Sequence, residues 1–236
     1  MHRVSTTRAR LLPNVVSLLD IIGPVMVGPS SSHTAGACRI GLLGRLLVGG
    51  TPQRAKLELH GSFARTGEGH GTDKALVGGL LGFRPDDERL RDALDIAERE
   101  GLSYHVEKTT IADDAHPNTV RMTLERDAST VELVGESLGA GRVRLTRING
   151  FPVEVSGALW TIVLVARDQP GSVARICGIL ADEGVNLATM RVTRKERGGD
   201  AFMVLELDDP PSEGALSQIR KLDWVRMTRA LEKVAG

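Results

Sequence analysis

Apolar and polar positions change their period several times along this chain, and each change marks an element. Ala55 to Gly61 (AKLELHG) alternates strictly, with Ala55, Leu57 and Leu59 on one face, and predicts a strand that turns His60 outward with Lys56 and Glu58. Upstream, Val15 to Ile22 (VVSLLDII) predicts a short helix ending at Gly23-Pro24. A second helix is predicted from about Thr34 to Val48. It carries Ala35, Gly36, Ala37, Gly41 and Gly44. Each glycine costs a helix about 1 kcal/mol relative to alanine, and what such residues allow is close approach of another backbone. Thr66 to Asp73 (TGEGHGTD) predicts a glycine-rich turn feeding a helix from about Asp73. Asp86 to Gly101 predicts an amphipathic helix with an acidic first turn and a glycine stop. Strands at Ser103–Lys108, Thr119–Glu125, Thr130–Val134, Arg142–Ile148 and Val153–Val155 complete an α+β domain over residues 1–157.

After Gly157 the pattern restarts. WTIVLVA is a strand, RDQPGS a turn, and VARICGILADEG a helix. NLATMRVTRK and DAFMVLELD alternate on either side of Glu196–Gly199 as a hairpin, then SEGALSQIRKL is a short helix and VRMTRAL a last strand. The order over residues 158–236 is βαββαβ, the ferredoxin-like arrangement.

Composition narrows the function classes. Apolar residues make up 41% of the 236 positions and charged residues 25%, as in an ordinary soluble globular protein. Lysine plus arginine equals aspartate plus glutamate at 30 each, so overall charge gives a nucleic-acid partner no support. Aromatics at 3% supply no stacking platform for single strands. No apolar run approaches the ~20 residues that span a bilayer. The basic N-terminus lacks the apolar core of a signal peptide, which leaves a cytoplasmic protein as the expectation. Cys38 and Cys177 cannot by themselves build a disulfide framework or a metal cage, and Cys38 is expected to be packed.

Two loops carry the chemistry. In GPSSSHTAG, the hydroxyls of Ser30, Ser31, Ser32 and Thr34 precede a helix whose free backbone N–H groups can join them in holding a carboxylate. His33 adds a group that titrates near neutrality, although a serine-rich helix cap with an exposed histidine accounts for the run equally well. In TGEGHGTD, glycines flank His70, and Thr72 and Asp73 stand at a helix start. Two loops of one character, each with a histidine and hydroxyls before a helix, point to convergence on one polar site. The turn Asp168-Gln169-Pro170-Gly171 offers a third helix N-terminus, to an anion such as an amino-acid carboxylate or merely as a tight turn. His116-Pro117-Asn118 is a turn before a strand, and Glu136 to Gly141 either an anion-binding backbone loop or a plain hairpin connection.

The stretch from Trp160 to Leu231, with its D-x-P-G-x opening, its Gly184-Val185-Asn186 entry to the second strand and its βαββαβ order, resembles an ACT domain, a small-molecule regulatory module. That resemblance implies an effector site at Asp168, Gly171 and Asn186, and homodimerisation through this module. GPSSSHTAGACRIG, HGSFARTGEGHGTDKALVGGLLG and HPNTVRM look like the β chain of the iron–sulfur-dependent bacterial L-serine dehydratase. The resemblance implies conversion of L-serine to pyruvate and ammonia at a [4Fe-4S] cluster. His33 and His70 would be the catalytic histidines, and Ser30, Ser31, Ser32, Thr34 and Thr72 would bind substrate. A [4Fe-4S] cluster needs several cysteine thiolates, and this chain has two cysteines, so the cluster is expected on a separate α chain and no metal site on this one.

A similar domain also precedes the ACT module in some phosphoglycerate dehydrogenases, where it is regulatory. The alternative is therefore a non-catalytic amino-acid sensor. A histidine-based metal hydrolase is disfavoured because no histidine pair has His-x-x-x-His spacing.

Overall fold

The computed structural model describes residues 25–234. The helix expected at Val15–Ile22 lies outside the described residues. A six-residue π-helix, Ser31–Gly36, runs directly into helix α1, Ala37–Val48. Strand β1 is Arg54–Leu59, followed by helices α2, Gly61–His70, and α3, Thr72–Leu81. The amphipathic stretch expected from Asp86 divides into a 3₁₀ turn, Glu88–Asp92, and helix α4, Ala93–Glu100. Strands β2, Ser103–Lys108, β3, Thr119–Arg126, β4, Ser129–Gly139, β5, Arg142–Ile148, and β6, Phe151–Val155, complete a six-stranded sheet of order β2-β1-β3-β4-β5-β6. Only β1 and β2 run parallel, as their helical crossover requires; the other pairs are antiparallel.

The glycines of α1 do what their cost implies. A Cβ on Gly41 would lie 2.3 Å from the Leu76 carbonyl oxygen, and one on Gly79 would lie 2.1 Å from the Cys38 carbonyl oxygen. α1 and α3 therefore cross backbone to backbone. On its other side α1 rests on the sheet, where Gly135 of β4 leaves room for Ile40.

The segment Gly61 to His70 departs from the expected glycine-rich turn: it is helical. Phe63 is fully buried and anchors it, and Gly61, at φ +58°, lets the chain turn tightly against the Pro117 carbonyl, which accepts hydrogen bonds from the N–H groups of Ser62 (2.6 Å) and Phe63 (3.4 Å). Tertiary packing overrides the low helix propensity of Gly67 and Gly69 here. Glu58, on the face expected to be outward, is only 9% exposed, paired with Arg121 of the neighbouring strand.

The second sheet has order β10-β7-β9-β8, from β7, Trp160–Arg167, β8, Leu187–Arg194, β9, Asp200–Leu207, and β10, Val225–Leu231. Helices α5, Ser172–Asp182, and α6, Glu213–Arg220, cover one face. The other face joins the core of the first sheet: Val163, Phe202, Val204 and Leu231 share its cluster, and Phe151 stacks on Phe202 at 5.1 Å. The chain is thus α+β, with a ferredoxin-like second half. No helix among the described residues is long and apolar enough to cross a membrane.

Candidate functional site

The two histidine loops meet. The imidazole rings of His33, in the π-helix, and His70, at the last position of α2, lie 5.0 Å apart. The irregular turn has a local cause. Ser30 caps it, its Oγ accepting the His33 N–H at 3.1 Å, and the Ser137 hydroxyl donates to the Ser32 carbonyl at 2.9 Å. Gly36 admits that contact, since a Cβ there would lie 2.0 Å from Ser137 Oγ. Ser137 is in turn tied to Asn118, whose carbonyl accepts the Ser137 N–H at 2.9 Å. The His116-Pro117-Asn118 turn thus supports both loops, α2 through Pro117 and the π-helix through Asn118. π-turns inside helices recur at functional sites.

Hydroxyls surround the His33 ring. Its Nε2 is 3.2 Å from Ser62 Oγ and 3.1 Å from Thr66 Oγ1, its Nδ1 is 3.4 Å from Ser30 Oγ, and Phe63 packs against it edge-on at 5.3 Å. Burial holds the His33 pKa below its usual 6.5, the neighbouring His70 lowers it further, and a hydrogen bond with the Ser62 backbone opposes both. Both effects favour the neutral ring. His70 Nδ1 lies 2.8 Å from the Thr66 carbonyl, to which it must donate, so a neutral His70 presents Nε2 as an acceptor.

A cavity of about 410 Å³ adjoins this pair, lined by Gly28, Thr34, His70, Gly71, Lys74 and Arg91 among others. His70 is exposed and borders it, whereas His33 stands behind His70. Among the expected substrate-binding residues, Thr34 lines the cavity and is buried, with its hydroxyl 3.5 Å from the His70 carbonyl. Ser30 serves as the cap, and Ser31 and Ser32 are half-buried in the π-helix. Thr72 is fully buried, with a hydroxyl that has no partner, beside Gly67 and away from the cavity lining. Ser62, Thr66, Lys74 and Ser137 were not anticipated. Ser62, Thr66 and His70 recur at four-residue spacing within α2, the signal that would have found two of them had the segment been read as helical; Lys74 lies past the break at Gly71, in α3.

Elsewhere, His60 sits just past β1 and accepts the Ile111 N–H at Nδ1 (3.2 Å). Glu136 to Gly139 ends β4 and Gly141 follows in a hairpin turn, where the Gly141 carbonyl accepts from buried Arg39 at 2.7 Å. The connection is a hairpin. Cys38 is buried, its Sγ donating to the Phe83 carbonyl at 3.1 Å, and burial pushes its thiol up to about 12. The described residues hold no group of three or more His, Cys, Asp or Glu that could bind a metal ion. With one cysteine buried in α1 and the other on α5, they do not fit an iron–sulfur cluster, which takes several thiolates.

In the second sheet, Gly171 caps α5 at φ +83°. The Asp168 carboxylate accepts from Arg194 (2.6 Å) and the Gly198 N–H (3.0 Å), the latter first and the former second holding it below the usual carboxylate range. Asn186 lies at the opposite end of β8 from Arg194 and donates to Asp208 at 2.6 Å. One chain does not bring Asn186 to Asp168.

The profile of the family described as "Serine dehydratase beta chain" matches residues 17–146, more than half of the chain. The chain belongs to the serine dehydratase beta chain family. An ACT domain follows at residues 160–223. Among curated relatives, the "Probable L-serine dehydratase, beta chain" of Bacillus subtilis (strain 168) is 43% identical over 206 residues, covering 87% of this chain and 93% of the relative. The "L-serine dehydratase, beta chain" of Peptoniphilus asaccharolyticus is 37% identical over 86% of this chain and 92% of its own length. A D-3-phosphoglycerate dehydrogenase of Synechocystis (strain ATCC 27184 / PCC 6803 / Kazusa) is 29% identical over 79% of this chain but only 34% of its own length. The residues matched to the serine dehydratase beta chain family include both histidine loops, and the ACT domain follows as a separate match.

Proposed function

We propose that this chain is the β subunit of an L-serine dehydratase, which turns L-serine into pyruvate and ammonia at a site shared with an α chain. The observation that carries the proposal is the meeting of His33 and His70 beside a cavity that also presents Lys74 and Thr34. The β-chain names of the two relatives that align almost end to end support the two-chain reading.

The reaction removes the α-proton and the β-hydroxyl of serine as water; the resulting enamine tautomerises to an imine, which a water molecule hydrolyses to pyruvate and ammonia. His70 takes the α-proton at Nε2, the ring nitrogen left without a proton by the Nδ1 bond to Thr66. His33, neutral and 5.0 Å away, adds no positive charge to oppose that transfer. Lys74 and Thr34 hold the substrate carboxylate, the one by charge and the other by hydrogen bonding. A [4Fe-4S] cluster belongs on the α chain, and each step assigned here uses only residues of this one. The ACT domain supports homodimerisation through edge strand β8, where Met190 and Val192 are each 42% exposed.

The test is anaerobic pyruvate formation from L-serine by this chain, by the α chain, and by their mixture. Activity is expected only in the mixture. An α chain equally active alone contradicts the proposal and favours the amino-acid sensor, to which the phosphoglycerate dehydrogenase similarity also points.

A further inference from the structure

A second polar cleft lies where the two sheets join, away from the histidine pair. Two adjoining cavities, of about 600 and 520 Å³, share Ser129, Arg220, Thr228 and Arg229 as walls. The walls come from both halves of the chain: the C-terminal end of α1 and the β3–β4 turn on one side, α6 and the edge strand β10 on the other.

The cleft is basic. Arg45, Arg126, Arg220, Arg226 and Arg229 line it. Its carboxylates, Asp127 and Glu213, pair with Arg126 and Arg220 from the rim, where each is 75% exposed. Arg226 reaches outward to Asp200. The backbone is shaped around two of the guanidiniums. Gly50, at φ +140°, lies so close to Arg126 that a Cβ would collide with its Nη1, and a Cβ on Gly49, at φ +90°, would touch Arg229 at 3.4 Å. Arg229 is fixed from behind by donating Nε to the Leu47 carbonyl at 3.1 Å and Nη1 to the Thr228 carbonyl at 3.2 Å.

Two polar groups here are buried with nothing to bond. Thr228 is 5% exposed, lines both cavities, and its hydroxyl has no partner; Arg45 Nε is likewise buried and unpartnered. A buried hydroxyl without a hydrogen bond costs about 1–3 kcal/mol, a cost that a ligand oxygen accepting from Thr228 would offset.

We propose that this interdomain cleft binds a small multivalent oxyanion, a phosphate ester or a polycarboxylate, held by Arg126, Arg220 and Arg229 with the Thr228 hydroxyl. Arginine forks match such oxygens in pairs, and the volume suits a small metabolite rather than a polymer. Because the walls belong to both halves, an occupied cleft ties the ACT domain to the domain carrying the histidines. This holds whether or not the chain is a dehydratase subunit.

The test is calorimetric titration of the full chain with pyrophosphate and, separately, with citrate, each at ionic strength matched with sodium chloride. Saturable binding of either is expected, with a dissociation constant below about 1 mM, and the tighter arm identifies the ligand's chemistry. The pair Arg126→Gln and Arg220→Gln, both at partly exposed positions, should weaken it about tenfold or more, a loss of about 1.4 kcal/mol or more. Thr228→Val should weaken it several-fold while leaving the melting temperature of the free chain unchanged or raised. Saturation by neither anion, or affinity indifferent to these substitutions, would overturn the proposal. So would a response that sodium chloride alone reproduces.

Discussion

Two loops of this molecule make a similar offer in sequence: a glycine and a free helix N-terminus. In the first, residues from three segments converge. Ser30 and His33, the cap and a residue of the π-helix, Ser62, Thr66 and His70 of α2, and Ser137 of β4 form one hydrogen-bonded group beside a cavity. In the second, the turn at Asp168 is satisfied by its own neighbours, Arg194 and Gly198, while Asn186 is held a strand's length away by Asp208. A helix N-terminus becomes a reactive site only when tertiary structure brings in groups that the turn cannot supply for itself. The difference is also electrical. Convergence desolvates His33 and sets a second imidazole beside it, whereas Asp168, half-buried, is held ionised by the Gly198 N–H and Arg194.

The comparison breaks first at the histidines. His70→Ala and His33→Ala should each lower kcat for pyruvate formation in the two-chain mixture by about 10²–10⁴-fold, with assembly checked by gel filtration. Gly36→Ala should come next. Its Cβ meets Ser137 Oγ, so the π-turn must shift, and overpacking of this kind costs about 1–3 kcal/mol in chemical denaturation. Adding Ser137→Ala should recover part of that loss, which a merely helix-stabilising alanine would not require. A smaller effect is expected on acidification. The folded His33 pKa lies below 6.5, so the unfolded chain takes up its proton first. The His33 contribution to stability therefore falls as pH drops through 6.5 toward the folded value, and His33→Gln should flatten that part of the curve. Asp168→Asn should do least, leaving the melting temperature of the chain nearly unchanged, since the amide oxygen can still accept from the Gly198 N–H and the lost partner, Arg194, is 52% exposed.

Much of this was legible before any coordinates. The alternation of Ala55, Leu57 and Leu59, the βαββαβ order after Gly157 and the small residues of α1 each named their element, because each encodes a local period or a local steric allowance. The convergence of the histidine loops was legible as a likeness of composition. What escaped was the helix from Gly61 to His70. Its glycines argue for a turn, and only the burial of Phe63 and the Pro117 carbonyl, 54 residues further on, decide otherwise. With the helix missed, Ser62 and Thr66 could not be placed on the face of His70; Thr72, expected to bind substrate by resemblance, has its hydroxyl buried beside Gly67. Ser137 was hidden for the same reason: its bond to Ser32 spans 105 positions.

The central claim is that two distant loops form one electrically coupled site. The most direct test follows the His33 imidazole by NMR through a pH titration of the full chain, in wild type and in His70→Gln. A His33 pKa below 6.5 that rises when His70 is replaced is the predicted result. A value at or above 6.5, unmoved by that substitution, would contradict it.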